Sequence, residues 1–379
     1  MDIKDCRQKI DQIDDQLIRL FNDRMELSRE IGEHKRKLNS PVLNPGRERE
    51  ILRRIAAGSS KELGAYSQVL FRMLFDLSRS YQDRLMAGEA SLGKEIEKAT
   101  ENTPKIFPTE GSIACQGIEG AYSQLAADRL FSTGNVMFFN SFSGVFQAVE
   151  KNLCKFGILP IENSLHGTVS EVYDLMKNYH FYILRSVKMQ INHVLLGKPG
   201  ATLKQIKEIY SHEQALWQCG NFLKQLPGVK LSVCENTAVA AKKVTEAASP
   251  EVAAISSENC ARLYGLSKLK ADIQNSDCNY TRFICIGKEM AIFPGANRIS
   301  IMVSVSHEPG SLYRLIAKFA ALGVNLLKLE SRPVEGRDFE FLFYLDFESS
   351  LYSPEIIQLL NELSQSNESF VFLGGYSQV

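Results

Sequence analysis

The sequence predicts a multidomain protein in three segments of different class: an all-α segment of three helices, an α/β segment, and a small α+β unit. Three observations lead there. Apolar residues step by three and four from Ile3 to Leu38, and the same pattern returns over Arg47 to Ala57 and Lys61 to Leu85. From Gly111, short apolar runs alternate with helical stretches, the mark of an α/β domain. From Arg298 the order strand, helix, strand, strand, helix, strand is that of a ferredoxin-like unit. A length of 379 residues suits two to four domains at roughly 100–200 residues each.

The first helix carries its apolar face on Ile10, Ile13, Leu17, Leu20, Phe21, Leu27 and Ile31, and Pro41, Pro45 and Gly46 break it. Counted from Ile3 to Leu38 it has 36 residues, about 54 Å at about 1.5 Å each. A domain of about 90 residues has a radius of gyration near 12 Å and cannot cover such a rod, so an intertwined dimer is expected. Met86 to Glu110 reads as a polar linker ending in Thr103-Pro104 and Pro108-Thr109. Strands are predicted at Ser112–Cys115, Phe156–Pro160, Tyr182–Val187, Val252–Ser256 and Phe283–Ile286, and Met290 to Ala296 forms a second linker. The last unit is read as strand Ile299–Ser306, helix Leu312–Ala321, strands Val324–Arg332 and Phe339–Phe347, helix Pro354–Ser364 and strand Phe370–Tyr376. These signals give domains at 1–90, 111–288 and 297–379.

Lys plus Arg and Asp plus Glu both number 44, so the chain has no net attraction for nucleic acid or membrane. The N-terminus lacks a signal-peptide pattern, and no apolar run reaches the ~18–20 residues of a membrane span. Eight scattered cysteines without a Cys-x-x-Cys pair, and six histidines without metal-ligand spacing, indicate reduced thiols and no metal site. A cytoplasmic protein without metal or cofactor is the expectation.

On the first helix Arg24 and Lys35 are eleven residues apart, within about 20° of each other around the axis. Arg7 lies about 100° from Arg24 on the same count and serves a different pocket. Ser78 and Gln82, four apart, share a face of the third helix, and Arg47 and Glu48 open the second. With Cys6-Arg7-Gln8-Lys9-Ile10-Asp11, Arg24-Met25-Glu26-Leu27, Gly32-Glu33-His34-Lys35, Pro41-Val42, Arg47-Glu48-Arg49 and Ser78-Arg79-Ser80-Tyr81-Gln82, residues 1–85 resemble the all-helical chorismate mutases. The resemblance implies that Arg7, Arg24 and Arg47 hold the carboxylates of chorismate, Arg7 from the other subunit. Lys35 and Gln82 would bond the ether oxygen, Glu48 the hydroxyl and Ser78 a carboxylate. Asn44 stands where many relatives have Asp, which implies altered affinity. A Claisen rearrangement needs no acid, base or nucleophile, only a compressed substrate and stabilised charge, so cations on rigid helices suit it.

In the α/β segment, polar clusters follow predicted strand ends: Gln116 to Ser123, Pro160-Ile161-Glu162-Asn163-Ser164, Ser211 to Leu216, Asn236-Thr237-Ala238 and Asn279-Tyr280-Thr281-Arg282-Phe283. Each alone reads as helix capping. Together they resemble the prephenate dehydratases across 111–288, a family with two α/β subdomains around a cleft, similar to a type 2 periplasmic binding fold. That implies Thr281 as the catalytic group and Arg282 as a carboxylate binder. Tyr122, Ser123, Glu162, Asn163, Ser164, Ser211, Gln214 and Thr237 would line the cleft. A threonine hydroxyl is a poor general acid, so Thr281 is expected to position or relay a proton, and Glu162, its acidity weakened by burial, is the rival acid.

In the last segment, Pro309-Gly310-Ser311-Leu312 joins strand to helix and Glu330-Ser331-Arg332-Pro333 closes a strand. These resemble phenylalanine-binding ACT domains, with Ser311 in place of Ala, and imply L-phenylalanine as effector at these residues and a second dimer contact, hence a homodimer or homotetramer. A fusion to prephenate dehydrogenase would need a Gly-x-Gly-x-x-Gly, and none is present. A sensor with decayed catalytic domains would have broken constellations, whereas these are intact. The residues alone leave arogenate open as an alternative to prephenate; the attached mutase favours prephenate.

Overall fold

The computed structural model describes residues 2–38, 40, 44–86, 91–333, 341–367 and 369–379. Pro41, Val42 and the predicted start of a strand at Phe339 lie outside the described residues. The chain divides into two compact units. The first holds Met1–Glu97, Val303–Leu345 and Tyr352–Phe370; the second holds Lys98–Met302, Asp346–Leu351 and Val371–Val379.

In the first unit, α1 (Ile3–Lys37), α2 (Pro45–Gly58) and α3 (Gly64–Met86) pack with α1 and α2 on α3. Only Ser28 and Gly32 of α1 are buried, because small residues let α3 approach closely. The apolar stripe of α1, including Ile10, Ile13, Leu17, Leu20, Leu27 and Ile31, is exposed. Asn44 explains where α2 begins: its side-chain oxygen accepts from the Arg47 N–H at 3.1 Å, and Pro45 occupies the first turn. Sequence reading placed a linker where α4 (Ser91–Asn102) forms. Leu92, Ile96 and Ala99 step along it by four and three, a run too short to stand out among its charged neighbours, and Asn361 accepts from the Gly93 N–H at 2.9 Å.

The second unit is built on two mixed sheets. One contains β1 (Glu110–Gln116), β2 (Thr133–Phe139), β3 (Phe156–Asn163), β4 (Gly167–Thr168), β5 (Tyr182–Gln190) and β11 (Tyr280–Gly287). Its order is β2-β1-β3-β11-β5, with β4 beside β3, β1 parallel to β2 and β3, and β11 antiparallel to β3 and β5. Helices α5 (Tyr122–Leu130), α6 (Phe142–Glu150) and α7 (Ser170–Tyr179) accompany it. The other sheet contains β6 (Val194–Gly197), β7 (Glu208–Ser211), β8 (Lys230–Val233), β9 (Val252–Ser256) and β10 (Ser267–Lys270) in the order β10-β6-β9-β7-β8. Helices α8 (Glu213–Gln218), α9 (Gly220–Leu223), α10 (Thr237–Glu246) and α11 (Glu258–Tyr264) belong to it. Each sheet has its own apolar core, one around Ile113, Phe131, Ile158 and Cys285, the other around Leu196, Ala240, Ala254 and Val244. The chain therefore forms two lobes and crosses between them twice, after β5 and before β11. The crossings are tied together where the Ile191 N–H donates to the Asn279 carbonyl at 2.8 Å and the Ile273 N–H to the His193 carbonyl at 3.2 Å.

The C-terminal elements are β12 (Arg298–Ser304), α12 (Ser311–Ala321), β13 (Asn325–Pro333), β14 (Phe341–Glu348), α13 (Pro354–Ser366) and β15 (Phe370–Tyr376), in a sheet of order β13-β14-β12-β15. Beyond β15, residues Ser377–Val379 run along the free edge of β5. The Ser186 N–H donates to the Ser377 carbonyl at 3.0 Å, the Lys188 N–H to that of Val379 at 3.1 Å, and the Val379 N–H to that of Ser186 at 2.9 Å. Gly374 is required beside this run, because a Cβ there would meet the Ile183 carbonyl oxygen at 2.4 Å.

Among the described residues no helix is long and apolar enough to cross a membrane, and no cluster of His, Cys, Asp and Glu could hold a metal ion. Six of the eight cysteines are buried as free thiols.

Candidate functional site

Antiparallel register decides the site in the second unit. On β3 and β11, Thr281 pairs with Asn163 and Arg282 with Glu162. Side chains alternate across a strand, so the first pair occupies one face and the second pair the other. Four adjacent residues of two sequence motifs thus serve two different surfaces.

On the first face the Asn163 amide is the centre. Its oxygen accepts from the N–H groups of Leu165 and His166, both at 3.0 Å. Its nitrogen donates to the Thr281 hydroxyl oxygen at 3.0 Å, the Tyr280 carbonyl at 3.1 Å and the Asn279 side-chain oxygen at 2.8 Å. Ser164 closes the loop, donating to the Cys278 carbonyl at 2.6 Å and accepting from the Tyr280 N–H at 2.9 Å. Behind Asn279 stand Gln218, whose side-chain oxygen accepts from Asn279 at 3.0 Å, and His193, whose Nε2 lies 2.8 Å from the same oxygen. Burial lowers the His193 pKa against the smaller, raising effect of its Gln218 hydrogen bond, so the ring is neutral.

On the second face Arg282 is 4% exposed and bound on all sides. Its Nε lies 2.7 Å from a Glu162 carboxylate oxygen, it pairs with Asp346, and it donates to the Tyr376 hydroxyl at 3.2 Å. Ser300 donates to Asp346 and sits 2.8 Å from the Tyr376 hydroxyl, whose pKa burial pushes up to about 12. A guanidinium this deep is tolerable because two carboxylates and a phenol replace its water. The sequence suggested Arg282 as a carboxylate binder beside Thr281 and Glu162 as a proton donor. The structure pairs the two with each other, and Arg282 also with Asp346 of β14 and Tyr376 of β15, on the face opposite Thr281, since neighbouring strand residues face opposite ways.

The remaining expected cleft residues are anchored around this core. Tyr122, first in α5, donates to the Asn192 carbonyl in the crossing at 2.7 Å, and Ser123 donates to the Gln116 carbonyl at 2.6 Å. Ser211, at the end of β7, donates to the Ile255 carbonyl at 2.7 Å within the second lobe. Gln214 is exposed in the first turn of α8, its N–H held by His212, which caps that helix. Thr237 is the half-buried first residue of α10, behind the Asn236 cap. The structure thus joins Asn163, Ser164 and Thr281 directly. It also joins to them Asn279, Gln218 and His193, to which sequence reasoning gave no role. Asn279 opens the quoted motif that ends at Phe283 but carried no separate signal, and His193 and Gln218 are lone polar residues beside the apolar run Val194–Leu196 and at a short helix's end.

In the first unit, Arg24 reaches from α1 to α3, donating to Ser78 and, at 2.9 Å, to the Leu74 carbonyl, with Phe75 beneath it at 5.8 Å. Burial lowers its pKa, but arginine keeps its charge at any physiological pH. Gln82 is 6% exposed, and its side-chain oxygen has no partner among the described residues. Lys35 is half-buried on α1, one turn beyond Gly32, where a Cβ would sit 3.1 Å from Gln82 Cγ. Glu48 does not stand open: it pairs with Arg79, which also holds Asp76. Arg47 is exposed beside Glu50 at 2.8 Å. Arg7 is exposed on α1, about 25 Å along the axis from Arg24 at about 1.5 Å for each of 17 residues. Gly310, at φ +84°, caps α12 in the left-handed region that favours glycine; Ser311 accepts from Arg314 at 2.7 Å, and Leu312 and Pro309 flank them. Glu330, Ser331 and Arg332 lie on the edge strand β13.

Residues 6–83 match the family model of chorismate mutase type II, and residues 113–291 that of prephenate dehydratase. The bifunctional chorismate mutase/prephenate dehydratase of Escherichia coli K12 is 32% identical over 378 residues, covering 98% of this chain and 95% of that protein. The protein so named in Aquifex aeolicus is 30% identical, covering 99% and 98%. A crystal structure of prephenate dehydratase from Arthrobacter aurescens in complex with L-Phe overlays with a TM-score of 0.65 at 26% identity, covering 70% of this chain and 89% of that one. Two domain families in one chain, in the order and over the length of these relatives, make this protein a member of the bifunctional chorismate mutase/prephenate dehydratases, enzymes of phenylalanine biosynthesis.

Proposed function

We propose that Thr281, held by Asn163, is the reacting centre of the dehydratase, and that the Arg24, Lys35, Ser78 and Gln82 surface between α1 and α3 is that of the mutase. In the second step the hydroxyl of prephenate leaves as water after gaining a proton. The bond to its ring carboxylate breaks, carbon dioxide departs, and the electron pair enters the ring to make it aromatic. Neither step needs a cofactor: the first is pericyclic, and the second needs one proton and an anion clamp. The observation that carries the dehydratase reading is the Asn163 to Thr281 hydrogen bond. The hydroxyl oxygen accepts from the protein, so its own proton is left to point at substrate. Glu162 and Arg282 take structural roles in this reading, and Ser164 shapes the loop beside the centre.

Arg7 belongs to a partner's mutase pocket in this proposal, supported by its distance along α1 and by the exposed apolar stripe a second α1 would cover. A homodimer or homotetramer in the cytoplasm follows. The C-terminal βαββαβ unit, a ferredoxin-like ACT domain in strand order, would bind L-phenylalanine near Pro309 to Leu312 and Glu330 to Arg332 and restrain the dehydratase. The test supplies chorismate alone and follows prephenate and phenylpyruvate with and without phenylalanine. Phenylpyruvate suppressed by phenylalanine supports all three assignments. Thr281→Val should lower dehydratase kcat by about 10²–10⁴-fold, the span of a lost proton-transfer group, without changing the mutase. A Thr281→Val enzyme with normal dehydration would overturn the centre.

A further inference from the structure

The Asn163 side chain has a fixed orientation, and that orientation propagates. Because its oxygen already accepts from two backbone N–H groups, the nitrogen must be the end that meets Thr281 and Asn279. Asn279 must then present its oxygen to Asn163 and its nitrogen to Gln218. Gln218 must turn its oxygen inward, and that oxygen can face His193 only if His193 carries its proton on Nε2. A second observation agrees. Among the described residues His193 Nδ1 is buried with no hydrogen-bond partner, tolerable for a bare lone pair but costly for an N–H. His193, Gln218 and Asn279 are 2%, 5% and 1% exposed, so water cannot easily exchange into the chain and scramble it.

We propose that His193 and Asn279 are positioning residues of the dehydratase, locking through Gln218 the direction of the hydrogen bond at Thr281. The chain is pinned at both ends: by the Leu165 and His166 backbone at one and by a neutral histidine of a single tautomer at the other. Without the far pin, Asn279 could rotate and offer its nitrogen to Asn163. Asn163 would lose an acceptor, and its grip on Thr281 would loosen. The Thr281 hydroxyl would then be free to turn its proton inward to the Tyr280 carbonyl, and the substrate would lose its donor. His193 and Asn279 sit in the two crossings between lobes, so the lock is assembled only when both crossings are in place. This inference rests on Thr281 as the reacting centre.

The experiment measures dehydratase and mutase rates on the same preparations of full-length variants. His193→Leu and Asn279→Leu, the second of which removes the acceptor for Asn163, should lower dehydratase kcat by about tenfold or more with KM within about threefold, as expected for lost orientation rather than lost binding. The mutase rate, carried by helices of the other compact unit, normalises for the amount of enzyme, and circular-dichroism melting reports that the unit holding Thr281 is folded. His193→Gln keeps an N–H for Gln218 and should recover most of the rate. Nitrogen-15 NMR of labelled histidines should show wild-type His193 neutral and protonated on Nε2. In Asn279→Asp, whose carboxylate can only accept, Gln218 must flip, and the His193 proton should move to Nδ1. Equal losses in His193→Gln and His193→Leu would mean a packing role only, and normal kcat in His193→Leu, or an Nδ1-protonated wild type, would overturn the lock. Thr281→Val separates the two levels. If it is inactive while His193→Leu is normal, only the lock fails; if it is active, the centre itself is wrong.

Discussion

His193 carries its burial into the pH dependence of stability. Its folded pKa is lowered, so below its ordinary value of about 6.5 the unfolded chain binds a proton that the folded chain refuses. Stability therefore rises with pH through that window, is fully present above it, and is lost as pH falls below it. His212, lowered by the same cause and capping α8, adds in the same direction. Urea midpoints measured from pH 7.5 to 5 should decline, and His193→Gln should flatten part of the decline. An unchanged slope in that variant would show the ring solvated in the folded state. Asp346 is buried against Arg282, whose charge cannot be lost. Asp346→Ala leaves Arg282 half-compensated in an apolar setting, which costs about 3–5 kcal/mol for a broken buried pair. Its thermal midpoint should fall sharply; a fall of a degree or two would mean water replaces the carboxylate. Sequence motifs alone placed Glu162, Asn163, Thr281 and Arg282 together as one site. Contiguity along a strand is not contiguity in space, because the pleat sends alternate residues to opposite faces. The partners Asp346 and Tyr376 come from strands more than 60 residues later, where no local pattern announces them.

At the scale of elements, the long helices and nine of the fifteen named strands were legible because their apolar residues recur with a period. The first helix was read as Ile3 to Leu38 and spans Ile3–Lys37, and the strand read at Val252–Ser256 has those limits. What escaped were α4, whose short apolar run stands among charged residues, the strands β2, β4, β6, β7, β8 and β10, and the two crossings, which have no period and are held by tertiary hydrogen bonds. Gly32 offers a test of the α1 and α3 contact. Gly32→Ala gains about 1 kcal/mol of helix propensity, because glycine loses more backbone freedom on folding, yet its new Cβ meets Gln82 Cγ at 3.1 Å. The prediction is a thermal midpoint that holds or rises while mutase kcat falls several-fold and dehydratase kcat is unchanged. Unaltered mutase turnover would show that Gln82 has room to shift without consequence.

Across the whole molecule, the exposed stripe of α1 asks for a second chain. Burying a side chain such as Leu17 is worth about 1.5–3 kcal/mol, and several in register sustain a stable pair. Sedimentation should give a dimer or larger, and Leu17→Asp with Phe21→Asp should split it and abolish mutase turnover. An intact dimer in that variant would place the contact elsewhere.

Residues Ser377–Val379 along β5 have a practical meaning beyond catalysis. A sheet whose outermost strand shows bare N–H and C=O groups is a template on which other copies can assemble. Here three residues cover that row as a shield. Removing them should leave fresh enzyme with both activities but send it into aggregates on storage or gentle heating, followed by light scattering. A shortened protein that stays clear would show the edge guarded by something else.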